Sequence, residues 1–140
     1  MDRRDFLQKS LVLSCGIAGA SAFLGACKKN NNNITTAPTV NFTIDISSSQ
    51  YSALQKNGGY VYYSPSSIII ARDHKGDFLA LYDICPHAGC TIQFDGSSKF
   101  PCPCHGSQFD DNGNVIQGPA TSGVKKYSTS LSGTQLNVFG

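Results

Sequence analysis

Two short segments of this 140-residue chain concentrate the side chains able to bind a metal. One reads Cys85-Pro86-His87-Ala88-Gly89-Cys90 and the other Cys102-Pro103-Cys104-His105-Gly106-Ser107. Each carries two cysteines and one histidine, with the glycine and proline that let a backbone fold tightly around an object. Thiolate and imidazole suit soft and borderline metals, so the pattern points to a metal site built from both segments. Two other readings of the same residues stay open. The four cysteines could pair as two disulfides, which leaves both histidines without a task. Two Cys and two His could also hold zinc in a tetrahedron, although ordinary zinc modules keep the two ligand types in separate loops and here they are mixed.

A third reading comes from resemblance. Cys85-x-His87, then 14 residues, then Cys102-x-x-His105 resembles the Rieske iron–sulfur motif, here of the cytochrome bc type. The resemblance runs over most of Tyr60 to Tyr127 and includes Phe109-Asp110 and Gly118-Pro119-Ala120. It implies one [2Fe–2S] cluster per chain, with Cys85 and Cys102 on the inner iron and His87 and His105 on the outer. It also implies a disulfide between Cys90 and Cys104 that ties the two loops together, closing a loop of about 15 residues for roughly 3 kcal/mol in the chain-entropy account. Ser107 stands where high-potential members place a serine hydroxyl that donates to a bridging sulfide. Phe109 stands where they usually place a tyrosine, so a potential below that of tyrosine-containing relatives is expected. Ala88 replaces a leucine that commonly shields the cluster, and Gly118-Pro119 match the family's loop that covers it from a third side.

Ligand charge explains why such a site carries electrons. Two ferric ions, two sulfides and two thiolates sum to zero with neutral histidines, whereas four thiolates would give a dianion, so the mixed ligand set accepts an electron more readily. Reduction makes the imidazoles more basic, which couples electron uptake to proton uptake and suits a quinol as donor. The resemblance therefore implies the electron-transfer subunit of a quinol-oxidising cytochrome bc-type complex, with a cytochrome b-type donor side and a cytochrome c-type acceptor. By that reading it is a redox subunit of a quinol–cytochrome c reductase-like assembly, not a stand-alone enzyme. The alternatives are the small Rieske subunit of an exported molybdenum oxidoreductase of the arsenite oxidase type, and a surface lipoprotein without redox function.

The elements that must position these loops read as β. Every one of the nine acidic residues is Asp, and a chain with no Glu and abundant Ser, Thr and Asn favours strands and turns over helices. Val40, Phe42, Ile44 and Ile46 alternate with polar residues at the period of a half-buried strand. Tyr60–Ser64, Ser67–Arg72 and Phe78–Asp83 read as further strands, with turns at Asn57-Gly58-Gly59 and at residues 73–77. Tyr127–Ser132 and Gln135–Phe139 form a hairpin across Gly133-Thr134. Short, evenly spaced strands predict an all-β domain, a small antiparallel sandwich or barrel of the Rieske type with a cluster-binding loop subdomain. His74 falls in the charged turn and is expected as a solvated residue, and the tyrosines at 60, 62 and 63 as sheet and core. A net charge of +2 with no basic stripe excludes a nucleic-acid partner.

Ahead of this fold the chain carries an address. Arg3-Arg4 with Phe6-Leu7 resembles a twin-arginine export signal, and the apolar run Leu11–Ala26 that follows falls short of the ~20 residues of a membrane span. Leu24-Gly25-Ala26-Cys27 resembles a lipobox, which implies lipidation of Cys27, with an uncleaved short anchor as the rival. Cys15 lies within the signal. The expected organisation is an export signal over 1–26, a polar tether over 27–38 and the cluster domain over 39–140. The expected location is the outer side of the cytoplasmic membrane, anchored by lipid or a short helix, where an oxidising compartment permits the disulfide.

Overall fold

A computed structural model describes residues 36–140. Arg3, Arg4 and Cys27, together with the expected signal and most of the expected tether, lie outside the described residues. Nine strands occur among those described: β1 Asn41–Asp45, β2 Tyr60–Tyr63, β3 Ile68–Arg72, β4 Phe78–Tyr82, β5 Phe100–Pro101, β6 Gln108–Phe109, β7 Val115–Gln117, β8 Lys126–Ser132 and β9 Gln135–Phe139. Six of them form one antiparallel sheet in the order β1-β9-β8-β4-β3-β2, and the other three a small sheet in the order β5-β6-β7. The large sheet curls into a half-barrel. Its two edge strands meet through the stacked rings of Phe42 on β1 and Tyr63 on β2, with centroids 3.9 Å apart. The all-β reading and the expected strands are present, with the irregular stretch after β1 forming a 3-10 turn over Ser49–Gln55.

Strand alternation assigns every second residue of the middle strands to one of two cores. Ile68 and Ile70 of β3, with Ala80 and Tyr82 of β4, face the inside of the half-barrel together with Ile44, Leu54, Tyr127, Leu136 and Val138. Ile69, Ala71, Leu79 and Leu81 face the other way and pack with Cys85, Ile92, Phe94, Phe100, Cys102, Phe109, Ala120 and Val124. The isoleucine run of β3 is thus continuous because both of its faces are covered, the condition under which a strand loses its polar alternation. The second core is the layer on which the two Cys/His loops stand.

Ala37 and Pro38, the last residues of the expected tether, lie against the fold. Ala37 packs on the half-barrel core, and the Pro38 carbonyl accepts hydrogen bonds from Tyr127 Oη at 2.9 Å and Lys125 Nζ at 3.0 Å. Among the described residues no helix is long and apolar enough to cross a membrane.

Candidate metal centre

Both loops are hairpin tips. Strand β4 runs directly into Cys85–Cys90, which a bridge between Ile84 and Thr91 closes, and Cys102–Ser107 joins β5 to β6. Their backbones repeat one pattern. Cys85 N–H donates to the Cys90 carbonyl at 2.8 Å, as Cys102 N–H does to Ser107 at 2.7 Å. Gly89 N–H returns to the Cys85 carbonyl at 2.9 Å, as Gly106 N–H does to Cys102 at 3.2 Å. Gly89 and Gly106 hold φ of 75° and 79°, a left-handed backbone that favours glycine, and a Cβ at either would meet nothing within 4 Å. The glycines are therefore required by the turn and not by crowding.

This repeated turn sorts the ligand candidates by depth. The leading cysteines, Cys85 and Cys102, are buried at 1% and 3% exposure and carry free thiols, whereas His87 and His105 are exposed. The two imidazole rings, one from each loop, stand 4.8 Å apart between centroids and nearly perpendicular. Burial pushes the Cys85 thiol up, and the neighbouring Cys102 side chain adds to the rise, while the N–H groups of His87 and Ala88 pull the other way. A thiol that resists ionisation beside a second thiol, with backbone donors aimed at its sulfur, fits a site completed by a cation that would hold both as thiolates.

Cys90 and Cys104 are joined in a disulfide, with Cα atoms 6.4 Å apart. The bridge links the last residue of the first loop to the third of the second and so fixes the separation of the two histidines. The sulfurs of Cys90, Cys102 and Cys104 all lie within 4.8 Å of one another. With two of them spent in the bridge, that trio offers only one thiolate. The candidates left are the buried free thiols Cys85 and Cys102 and the exposed imidazoles His87 and His105.

The residues around the loops are tightly placed. Ser107 is fully buried, and its Oγ accepts Ala120 N–H at 3.1 Å. The Ser107 hydroxyl proton has no acceptor among the described residues, which leaves a buried donor to be satisfied by a group held between the loops. Phe109 is fully buried in the same core as both thiols and lies opposite Phe100 across β5 and β6. Gly118 has φ of 94°, and a Cβ there would fall 2.4 Å from Ser107 Cα. The segment Gly118–Ala120 thus lies directly against the second loop as a third wall. Pro119 and Ala88 are exposed.

Sequence reasoning missed the small sheet, whose two- and three-residue strands are too short to show a period. It also missed Asp83, buried at 6% exposure two residues before Cys85, with one carboxylate oxygen that has no hydrogen-bond partner. Burial pushes this carboxyl up. A charge at the next inward position after Leu79 and Leu81 was the available signal.

An antiparallel half-barrel carrying two mirrored Cys/His hairpins, locked by a disulfide and walled by a Gly-Pro segment, defines an iron–sulfur domain. The model of the Rieske [2Fe-2S] domain matches residues 44–128, and the chain belongs to that family. Such a domain binds a [2Fe–2S] cluster. Over 57 residues the chain is 46% identical to a cytochrome b6-f complex iron-sulfur subunit of Prochlorococcus marinus and 44% identical to that of Synechococcus elongatus. Each match covers 40% of this chain and 32% of the relative, so the chain spans about a third of the length of the curated relatives it matches. The plasma membrane Rieske protein PetC3 from Synechocystis PCC 6803 superimposes with a TM-score of 0.54 at 28% identity, covering 73% of this chain and all of that one. The ferredoxin of carbazole 1,9a-dioxygenase from Nocardioides aromaticivorans, at 24% identity over 60% of this chain and 86% of its own, has the same fold with a TM-score of 0.54.

Proposed function

We propose that the chain is the electron carrier of a quinol-oxidising cytochrome bc-type complex, holding its cluster with Cys85 and Cys102 on one iron and His87 and His105 on the other. The observation that carries this reading is the vertical sorting of the ligand set, two buried thiols under two exposed imidazoles drawn from two hairpins of one backbone pattern. The bound cluster supplies a single reversible electron. Everything else falls to the protein. The buried Cys85 and Cys102, with the N–H groups of His87 and Ala88 on the Cys85 sulfur, keep water from the inner iron. Exposed histidines leave imidazole nitrogens where a donor hydroxyl can reach them, so proton and electron can leave one donor together. The Cys90–Cys104 bridge keeps the loops from opening.

The surface around those histidines supports a partner without charge. Residues 84–94, 100–109 and 113–124, which make both loops and the Gly-Pro wall, contain no Asp, Lys or Arg. A tip of this kind suits a quinol pocket in an apolar membrane subunit better than a charged soluble acceptor. The likeness to cytochrome b6-f iron–sulfur subunits supports the same placement. Within this reading residues 1–26 export the chain by the twin-arginine route, 27–38 tether it from a lipidated Cys27, and the domain works on the outer face of the membrane.

The purified full chain, reduced with dithionite, should give an EPR signal whose average g lies below the free-electron value, as expected of an iron pair with mixed Cys and His ligands. A colourless, zinc-loaded protein overturns the assignment. Membranes that lack the chain should lose quinol-to-cytochrome c electron transfer, and undiminished transfer overturns the placement in the complex.

A further inference from the structure

Three sulfurs meet where the paired loops join. Cys90 and Cys104 are bridged, Cys102 carries a free thiol, and the Sγ atoms of all three lie within 4.8 Å of one another. Ligation by Cys102 and the tie between the loops leave this closeness unexplained. A thiol beside a disulfide is the arrangement from which exchange starts, because its sulfur can displace one of the bridged sulfurs with no outside oxidant.

Burial decides which sulfur is displaced. Cys102 is buried at 3% exposure, and Cys90 packs half-buried against the same core, whereas Cys104 is exposed. A bridge between Cys90 and Cys102 therefore lies in one apolar layer and leaves the Cys104 sulfur to water. Attack on Cys104 would instead close a bridge across the single residue Pro103 and leave Cys90 as a thiol against the core. The backbone also favours the first course. Cys102 is held at both ends of its peptide unit, by its N–H on the Ser107 carbonyl at 2.7 Å and by Gly106 N–H on its own carbonyl at 3.2 Å. The second loop thus stays anchored at the residue that would carry the new bridge.

We propose that Cys102 is an exchange nucleophile as well as a ligand: in a chain without its cluster it attacks Cys90, forms a Cys90–Cys102 bridge and releases Cys104 as an exposed thiol. The step balances within the chain. One S–S bond forms and one breaks, the proton leaving Cys102 ends on Cys104, and nothing is oxidised or reduced overall. Cys85 is then the one free thiol left of the assigned ligand pair, so the exchanged chain lacks a ligand for the inner iron. Cluster and exchange compete for the Cys102 sulfur, and a bound cluster preserves the original bridge by occupying it. The inference rests on the ligand assignment made above and adds to it a switch between a form that can be loaded and a form that is sealed.

The test uses the full chain. Loaded protein, protein stripped of its cluster by an iron chelator under argon, and the Cys85→Ala and Cys102→Ala variants are treated with N-ethylmaleimide in the folded state. Labelled and bridged cysteines are then located by peptide mass spectrometry with fragmentation. Label on Cys104 should rise roughly tenfold or more from the loaded to the stripped chain, as expected when an exposed thiol replaces a bridged sulfur, and a Cys90–Cys102 cross-link should appear with it. Cys85→Ala keeps the three sulfurs and should show both signals, whereas Cys102→Ala should show neither. A Cys90–Cys104 bridge that persists in the stripped chain and in Cys85→Ala overturns the proposal while the EPR signal of the loaded chain stands. Label on Cys90 and Cys104 together, the mark of a reduced bridge, overturns it as well. Loss of the EPR signal in the wild type instead overturns the cluster assignment, and the exchange is then decided by the two variants alone.

Discussion

Removing the Ser107 hydroxyl separates its two tasks. In Ser107→Ala the Oγ disappears from a fully buried site, and Ala120, itself 7% exposed, is left with an unpaired N–H. A buried donor stripped of its acceptor costs about 1–3 kcal/mol. Taking about 2 kcal/mol, a domain of this size should melt roughly 8–16 °C lower. Since small domains retain about 5–15 kcal/mol of stability, the variant should still fold. That loss belongs to the wall of Gly118–Ala120 and should appear with and without the cluster. The second task needs the cluster. The hydroxyl proton has no acceptor among the described residues, so in the loaded protein it is free to donate to a cluster sulfur. Such a bond favours the more negative reduced state, and its removal should lower the reduction potential. Circular dichroism melts of loaded and unloaded protein, with voltammetry of the loaded form, read the two effects apart. A potential equal to the wild type's would refute the donor role, and an unchanged melting temperature would refute the anchoring of the wall.

Two further outcomes follow from the same geometry. Phe109→Tyr places a hydroxyl in the core that holds both candidate thiols, and the potential should rise in voltammetry; an unchanged or lower value would remove the missing hydroxyl as a cause of low potential. At Asp95 and Asp110, burial works against the charged form, but hydrogen bonds from Ser97, Ser98 and Lys99 at the first and from Asn114 and Asn112 at the second outweigh it and hold both carboxyls below the ordinary value. A depressed folded value means stability that is present above the unfolded Asp value of about 3.9 and lost as pH falls through the folded one. Urea midpoints should therefore drop between about pH 5 and about pH 3, and more shallowly in an Asp95→Asn, Asp110→Asn double variant; identical slopes would show that these turns do not contribute.

Much of the centre was legible because its chemistry is local. Cysteine, histidine, proline and glycine within six residues announce a tight metal-binding turn whatever surrounds them, and the period of two in β1 or the turn between β3 and β4 needs no distant partner to be recognised. The family resemblance implied the Cys90–Cys104 pairing, and the structure contains it. What could not be read locally was anything that depends on which face meets which. The strands β5, β6 and β7 exist because the second loop must close against the third wall, and two or three residues hold no periodic signal of that. Ile68, Ile69 and Ile70 showed a strand but not that two cores divide them.

The sequence by itself therefore determined the ligand types, their spacing and the strand-forming segments, since each follows from side-chain chemistry and backbone preference within a few residues. Only the tertiary structure decided that the leading cysteines lie deep and the histidines at the surface, that Ser107 fastens Ala120 across 13 residues of chain, and that Asp83 is buried. Those are outcomes of burial and register, and a register is chosen by the whole sheet at once, because shifting it by one residue would send every inward side chain to the opposite face.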